Sequence, residues 1–197
     1  MAFSAKQRRL RLKNEYGDMV KFQQQCPWVT WEVVSGSPPY VTEYKLKLEV
    51  KSVISSGFDF RNNHEIRLKL PSTFPESSPE IVMVTRPAPY HPNWWRDGRW
   101  CEGAGSWDSE IDLVDHVVRM VRTLEFDTEV SNPESYTDGD AEKAKWFCKM
   151  RDSGRLPVAR TPKPNLTGKV EQETFEIFNI SSASGKQETG PDDFNII

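Results

Sequence analysis

The chain has few of the features that define several large classes of protein. Its 197 residues include 26 basic and 29 acidic side chains, and the formal charge of −3 gives no excess of one sign that would favour nucleic acid or an anionic membrane. No apolar run approaches the roughly 20 residues that cross a bilayer. The N-terminus turns polar at once, which predicts that no secretion signal is present. The cytoplasm is therefore the expected compartment.

Cysteine and histidine are also scarce, with three of each. Cys26, Cys101 and Cys148 lie far apart, and so sparse and odd a set argues against a disulfide framework and favours a reducing compartment. A zinc site needs four convergent ligands, usually in closely spaced pairs, and the sequence contains no such pair. It also lacks a glycine-rich phosphate-binding loop. We therefore expect no metal and no cofactor, and a free thiol at Cys101.

The order of the periodic segments predicts an α+β fold. The predicted helices cover 4–24, 110–126 and 140–150, with Ser4 as the cap of the first and Asp108 or Ser109 as the cap of the second. The predicted strands cover 29–34, 40–50, 64–70 and 80–85, and residues 51–63 are expected to hold turns. Sequential strands with short connections form an antiparallel meander, and the strongly amphipathic helix at 110–126 is expected to cover its apolar face.

The composition changes after Met150, where proline and glycine become frequent. We predict a core domain over 1–151 and an extension over 152–197. Residues 152–170 are expected to form an extended arm or linker. The extension is expected to be partly flexible, with alternation at 174–180 that is typical of one further strand.

Two features of the predicted helices concern polar side chains. The first helix carries a basic cluster, and the pattern fits both a solvated face and a docking surface. The cluster comprises Lys6, Arg8, Arg9, Arg11 and Lys13. His116 lies in the covering helix without an evident partner in the sequence, and we expect it to be a surface or boundary residue.

The stretch at 89–103 concentrates loop-forming and reactive residues. Pro89 and Pro92 interrupt regular structure, and Gly98 favours a turn because it adopts positive φ without a Cβ clash. Three of its residues are tryptophans, namely Trp94, Trp95 and Trp100. On its own, the stretch could be a tryptophan-filled turn around a buried cysteine or a functional loop on a rigid scaffold.

The thiol of Cys101 suits covalent carriage of an acyl group, because a thiolate both attacks carbonyl carbon and leaves well. A cysteine hydrolase would need a histidine base and usually a third orienting residue. The histidine nearest in sequence is His91, which is followed by Pro92 and better fits a structural role.

The same stretch resembles the active-site signature of ubiquitin-conjugating enzymes. In that family a His-Pro-Asn tripeptide precedes Gly-x-x-Cys, with the asparagine eight residues before the cysteine, and Asn93 and Cys101 have this separation. The resemblance covers roughly residues 5–150. It includes the segment Leu70-Pro71-x-x-Phe74-Pro75-x-x-x-Pro79, Trp107 and Asn132-Pro133.

The resemblance implies a ubiquitin-conjugating-enzyme fold and a specific activity. Cys101 would accept a ubiquitin-like modifier from an activating enzyme, docked through the N-terminal helix, and pass it to a lysine of a protein substrate. Asn93 would stabilise the oxyanion or support the loop. Glu134 or Ser135 would orient the incoming lysine, and His91 would be structural.

Several positions depart from the family pattern. Glu76 stands where the family often carries an aromatic residue for ligase docking, and Asp108-Ser109-Glu110 replaces a common Ser-Pro-Ala. The need for a ligase is therefore open. These departures are typical of a divergent member, and a bacterial conjugation system with its own modifier is one expected setting. A catalytically idle modifier-binding module and a cysteine hydrolase using His91 are the alternatives.

Overall fold

A computed structural model describes residues 3–102, 107–131, 140–157, 161 and 164. It contains three helices and four strands in these residues, in the predicted order. The helices are α1 (Ala5–Gln25), α2 (Leu113–Leu124) and α3 (Ala141–Asp152). The strands are β1 (Val29–Ser37), β2 (Tyr40–Val53), β3 (Phe60–Lys69) and β4 (Glu80–Met83). Within these residues, no helix combines the length and the apolar character needed to cross a membrane.

The four strands form one antiparallel sheet in the order β1-β2-β3-β4, which confirms the predicted meander and the α+β fold. Alternation along β2 sends one set of side chains into the core, as predicted. This set comprises Tyr44, Leu46, Leu48 and Val50, each at most 2% exposed. The covering helix α2 packs in the same hydrophobic cluster and contributes Leu113, Val114, Val117, Met120, Val121 and Leu124.

The helix α1 begins as predicted, with Ser4 as its cap. The Gln7 amide donates to Ser4 Oγ at 3.2 Å, and the Gln7 side chain accepts from the Ser4 amide at 2.8 Å. This reciprocal pair is a capping box, which satisfies two N–H groups of the first turn.

The predicted cap of α2 is wrong, because neither Asp108 nor Ser109 lies directly before the first residue of the helix. The helix starts at Leu113, and the side chain of its N-cap residue, Asp112, makes no capping bond. Instead, the Leu113 amide donates to Glu15 Oε2 of α1 at 2.8 Å. A carboxylate 98 residues away in sequence therefore replaces a local capping side chain as the acceptor for an N-terminal amide of the helix.

The strand β3 begins four residues earlier than predicted. Its partner β2 continues past an irregular register between Glu49 and Ser52, so that Asn63 and Arg61 still pair across the sheet. The turn between the strands is short and is closed by the Ile54 amide, which donates to Asp59 O at 2.9 Å. A bulge of this kind lets polar residues at 61–63 remain in a strand.

The helix α3 packs on a second, small cluster formed by Val53, Phe126 and Phe147. It ends at Asp152, next to the predicted domain boundary at 151. The predicted strand at 174–180 lies outside the described residues, as does most of the predicted extension at 152–197.

Candidate active site

The loop that follows β4 turns back and pairs with that strand. The Met83 amide donates to Gly98 O at 2.7 Å, and the Trp100 amide donates to Ile81 O at 3.0 Å. Gly98 has φ of +86°, and a Cβ at this position would lie 2.5 Å from the Met83 carbonyl oxygen. The sequence therefore needs glycine at 98 for the return of the loop. The sheet fixes the residues directly before Cys101.

Two hydrogen bonds join Asn93 to Cys101. The Cys101 amide donates to Asn93 O at 2.8 Å, and Asn93 Nδ2 donates to Cys101 O at 2.7 Å. Asn93 is fully buried, whereas Cys101 is partly exposed and carries a free thiol. The asparagine thus holds both backbone polar groups of a cysteine that is itself only partly buried.

His91 is buried beneath this pair, and both of its ring nitrogens have partners. Its Nδ1 accepts from the Asn93 amide at 3.1 Å, so Nε2 carries the proton and donates to Ser131 Oγ at 3.1 Å. Burial and, secondarily, the positive charge of Lys143 lower the pKa of His91 to about 3. The imidazole is therefore neutral near pH 7 and serves as a hydrogen-bonded bridge.

The three tryptophans of the loop differ in their environment. Trp94 is fully buried, and its Nε1 donates to Thr123 Oγ1 of α2 at 3.1 Å. Trp95 is only partly buried, and the guanidinium of Arg99 lies 4.3 Å from its ring centre. Trp100 packs against the hydrophobic core. Packing is thus the main contribution of Trp94 and Trp100.

The prediction that His116 is a surface or boundary residue is wrong. The side chain is 2% exposed and lies between the rings of Trp100 and Trp107, at centroid distances of 5.1 and 4.9 Å. Its Nδ1 is 3.5 Å from Oε2 of Glu102, the residue that follows Cys101 in the chain. The helical pattern alone could not reveal this burial, because the tryptophans that cover the imidazole lie outside the helix, in the connection between β4 and α2.

Glu134 and Ser135 lie outside the described residues, but the residues that flank 132–139 are well defined. On one side, Ser131 receives the hydrogen bond from His91. On the other side, Asp140 accepts from Arg96 Nε at 2.9 Å. Both flanks are therefore bonded to the loop that contains Asn93.

Three arginines of the basic cluster on α1 make contacts within the domain. Arg8 donates to Pro71 O at 3.2 Å, and Arg11 donates to Ser109 O at 3.0 Å. The guanidinium of Arg9 lies 3.9 Å from the ring centre of Tyr40. The side chains of Lys6 and Lys13 are exposed. Arg9 is exposed as well, but its guanidinium contacts Tyr40, whereas no ion pair or ring contact is found for the two lysines among the described residues.

One buried residue near the loop, Lys143, was missed by the sequence reasoning. It is 5% exposed and shares the buried face of α3 with Phe147 and Met150. The spacing of these three residues, four and then three, is the signal that could have identified it, because residues so spaced share one helix face.

Comparison with known proteins gives similarity in structure only. No family model matches the chain, and no curated protein matches it in sequence. The structure is similar to a Plasmodium vivax ubiquitin conjugating enzyme E2, at 13% identity over 58% of this chain and 98% of that one, with a TM-score of 0.45. It is also similar to the ubiquitin conjugating enzyme E2 UbcA1 from Agrocybe aegerita, at 20% identity over 59% and 80% of the two chains, with a TM-score of 0.46. Likeness at these identities concerns the fold alone.

Proposed function

We propose that this chain is a ubiquitin-conjugating-type enzyme. Cys101 accepts a ubiquitin-like protein from an activating enzyme as a thioester and transfers it to a lysine amine of a target protein. The observation that carries the proposal is the pair of hydrogen bonds between Asn93 and Cys101, because it fixes the backbone of a partly exposed cysteine. The motif spacing of these two residues supports the same assignment.

The chemistry consists of two acyl transfers. In the first, Cys101 Sγ attacks the carbonyl carbon of the modifier's thioester, a new C–S bond forms, and the activating enzyme's thiolate leaves and takes up the thiol proton. In the second, the target amine attacks the same carbon, the C–S bond breaks, and the amine proton passes to solvent or to the departing thiolate. The products are an isopeptide bond and the free thiol.

Asn93 supports this reaction through the backbone of the cysteine. The bond from its amide to Cys101 O favours loop support as its role. Donation from the same side chain to the tetrahedral oxyanion is the alternative, and it would stabilise the charge that develops during aminolysis.

We assign orientation of the incoming lysine to Glu134 or Ser135. The assignment is supported by the bonds of Ser131 to His91 and of Asp140 to Arg96, because these bonds hold both flanks of 132–139 on the loop that contains Asn93. A carboxylate at 134 would act by positioning, since its charge favours the protonated amine.

The activating enzyme is proposed to dock on α1 through Lys6 and Lys13. These side chains are exposed, whereas Arg8 and Arg11 donate to carbonyls of the same domain. Reversal of both charges, in a Lys6→Glu, Lys13→Glu double variant, would then slow charging without altering the fold.

The experiment that tests the proposal is a charging assay. The chain is incubated with ATP, a panel of ubiquitin-like proteins, bacterial ones included, and their activating enzymes. A thiol-sensitive adduct is expected, and Cys101→Ser should give a thiol-resistant ester or no product. The Cys148→Ala variant is the matched control and should charge normally. A thiol-sensitive adduct that still forms in the Cys101→Ser variant would refute the proposal.

The two alternatives make different predictions. An idle binding module would bind a modifier after Cys101→Ala substitution but never form a covalent product. A cysteine hydrolase would cleave a modifier's C-terminal ester without ATP. The hydrolase is disfavoured by His91, because its neutral ring is fully buried and already bonded through both nitrogens.

A further inference from the structure

The ammonium of Lys143 lies in the interior beside the candidate active-site loop. Its Nζ donates to Trp94 O at 2.6 Å and to Pro89 O at 3.3 Å. Among the described residues, no carboxylate lies within salt-bridge distance of this nitrogen, that is, within 4.0 Å. The loop's own carbonyls thus provide the hydrogen-bond acceptors for a buried cation.

Burying such a cation opposes folding, because the charged group loses its hydration. Removing an ammonium from water costs on the order of several kcal/mol unless a countercharge compensates for the lost hydration. An apolar residue of similar length would fill the same face of α3 beside Phe147 and Met150 at lower cost. Packing alone therefore does not account for a lysine at this position.

The two carbonyls lie on either side of the segment that contains His91 and Asn93. A single ammonium that binds Pro89 O and Trp94 O fixes both ends of this segment relative to α3. The Tyr90 hydroxyl adds a second connection to the same helix by donating to Glu142 Oε1 at 3.0 Å. The position of Asn93, and through it that of Cys101, consequently depends on α3.

We propose that Lys143 is a positioning residue for the transfer reaction. Its ammonium fixes the segment 89–94, so that Asn93 holds the Cys101 thioester in the geometry that an attacking amine requires. The inference rests on the proposed function for its catalytic part, whereas the ordering of the loop by Lys143 does not depend on it. A misplacement of about 1 Å at a reacting group can reduce a rate by about a hundredfold, so a modest shift of this loop would be measurable.

The test compares Lys143→Met with Lys145→Met, a matched control at an exposed position of α3. Lys143→Gln, which retains two N–H donors without the charge, is the conservative variant. Hydrogen exchange of backbone amides in 89–101 is measured first. We expect about tenfold faster exchange in Lys143→Met, unchanged exchange in β2 and β3, and partial recovery in Lys143→Gln. Unchanged exchange in 89–101, or equal acceleration throughout the domain, would overturn the proposal.

The second readout separates charging from discharge to free lysine. Lys143→Met should charge within about twofold of the wild type but discharge about tenfold more slowly, since only aminolysis needs the fixed loop. Equal losses in both steps would indicate a general structural role and refute positioning, as would normal discharge despite faster exchange. If the wild type never charges, the proposed function fails, and the exchange result still decides whether Lys143 fixes the loop.

Discussion

Among single residues, the candidate site depends on the hydrogen bonds between the buried Asn93 and the partly exposed Cys101. Asn93 binds the carbonyl of Cys101 through its side chain and the amide of Cys101 through its backbone. His91 in turn accepts from the Asn93 amide. Each of these residues is thus held by a neighbour that is itself buried, and this support fixes a functional group more precisely than a loop alone would.

The Asn93→Asp variant separates the two roles of the amide. Aspartate keeps the size of the side chain but cannot donate to Cys101 O or to an oxyanion. We expect charging to remain within about twofold and discharge to free lysine to fall by about a hundredfold or more if Asn93 stabilises the oxyanion, and by much less if it only supports the loop. Single-turnover discharge rates measure the difference. The Asn62→Asp variant, at an exposed position, is the control, and a matching loss in it would contradict any specific role of Asn93.

At the scale of secondary-structure elements, the site depends on how the loop rejoins β4. Gly98 allows the chain to turn with φ of +86° while Met83 and Ile81 of the strand bond to residues 98 and 100. Arg86 donates to the Met83 carbonyl from the same side. The contact between the loop and β4 is therefore crowded, and the positive φ of Gly98 is a conformation that residues with a Cβ rarely adopt.

Gly98→Ala is expected to destabilise this joint. The added Cβ would meet the Met83 carbonyl oxygen at 2.5 Å in a left-handed conformation, and we expect a loss of about 2–3 kcal/mol in the free energy of unfolding. Gly17→Ala in α1 is the matched control, because a Cβ there meets nothing within 4 Å and should stabilise the helix by about 0.5–1 kcal/mol. Urea denaturation measures both. Equal stability of the two variants would contradict the geometry described for the loop.

The elements themselves could be predicted from local patterns, whereas the contacts between them could not. Alternation along β2 and the cap at Ser4 depend on neighbours in sequence, and both predictions are confirmed. The cap of α2 is supplied by Glu15, and His116 is covered by two tryptophans of the connection that precedes α2. Contacts of this kind are set by tertiary packing, which overrides local preference.

The candidate site shows the same division. The spacing of Asn93 and Cys101 predicted a site at these two residues, whereas the hydrogen bonds between them are known only from the structure. Lys143 escaped notice because a lysine is normally exposed, and only its contacts with Pro89 O and Trp94 O explain its burial. Glu134 and Ser135 remain predictions.

At the scale of the whole molecule, all three histidines of the chain are buried. Burial is the main cause that lowers the pKa of His64 to about 4, of His91 to about 3 and of His116 to about 4. In the unfolded chain these histidines bind protons near the ordinary imidazole pKa of about 6.5, whereas in the folded chain they bind protons only at much lower pH. Unfolding in this interval therefore takes up protons.

The free energy of unfolding should consequently decrease as the pH falls from about 6.5 towards 4. Each neutral buried histidine contributes a slope of up to about 1.4 kcal/mol per pH unit, so the three together give up to about 4 kcal/mol per unit near pH 5. Burial raises the pKa of Glu15, and this residue opposes the trend because its protonation favours the folded state. Urea titrations at pH 7, 6 and 5 measure the slope, and stability that is constant over this range would contradict the buried, neutral state of the histidines.

Intact-mass spectrometry after charging decides whether Cys101 carries an acyl-linked modifier. We expect one species heavier by a single modifier less one water, with the modification on the peptide that contains Cys101 and lost on treatment with excess thiol. A modifier attached to Cys26 or Cys148, or a bond that resists thiol while Cys101 remains free, would refute Cys101 as the acyl carrier.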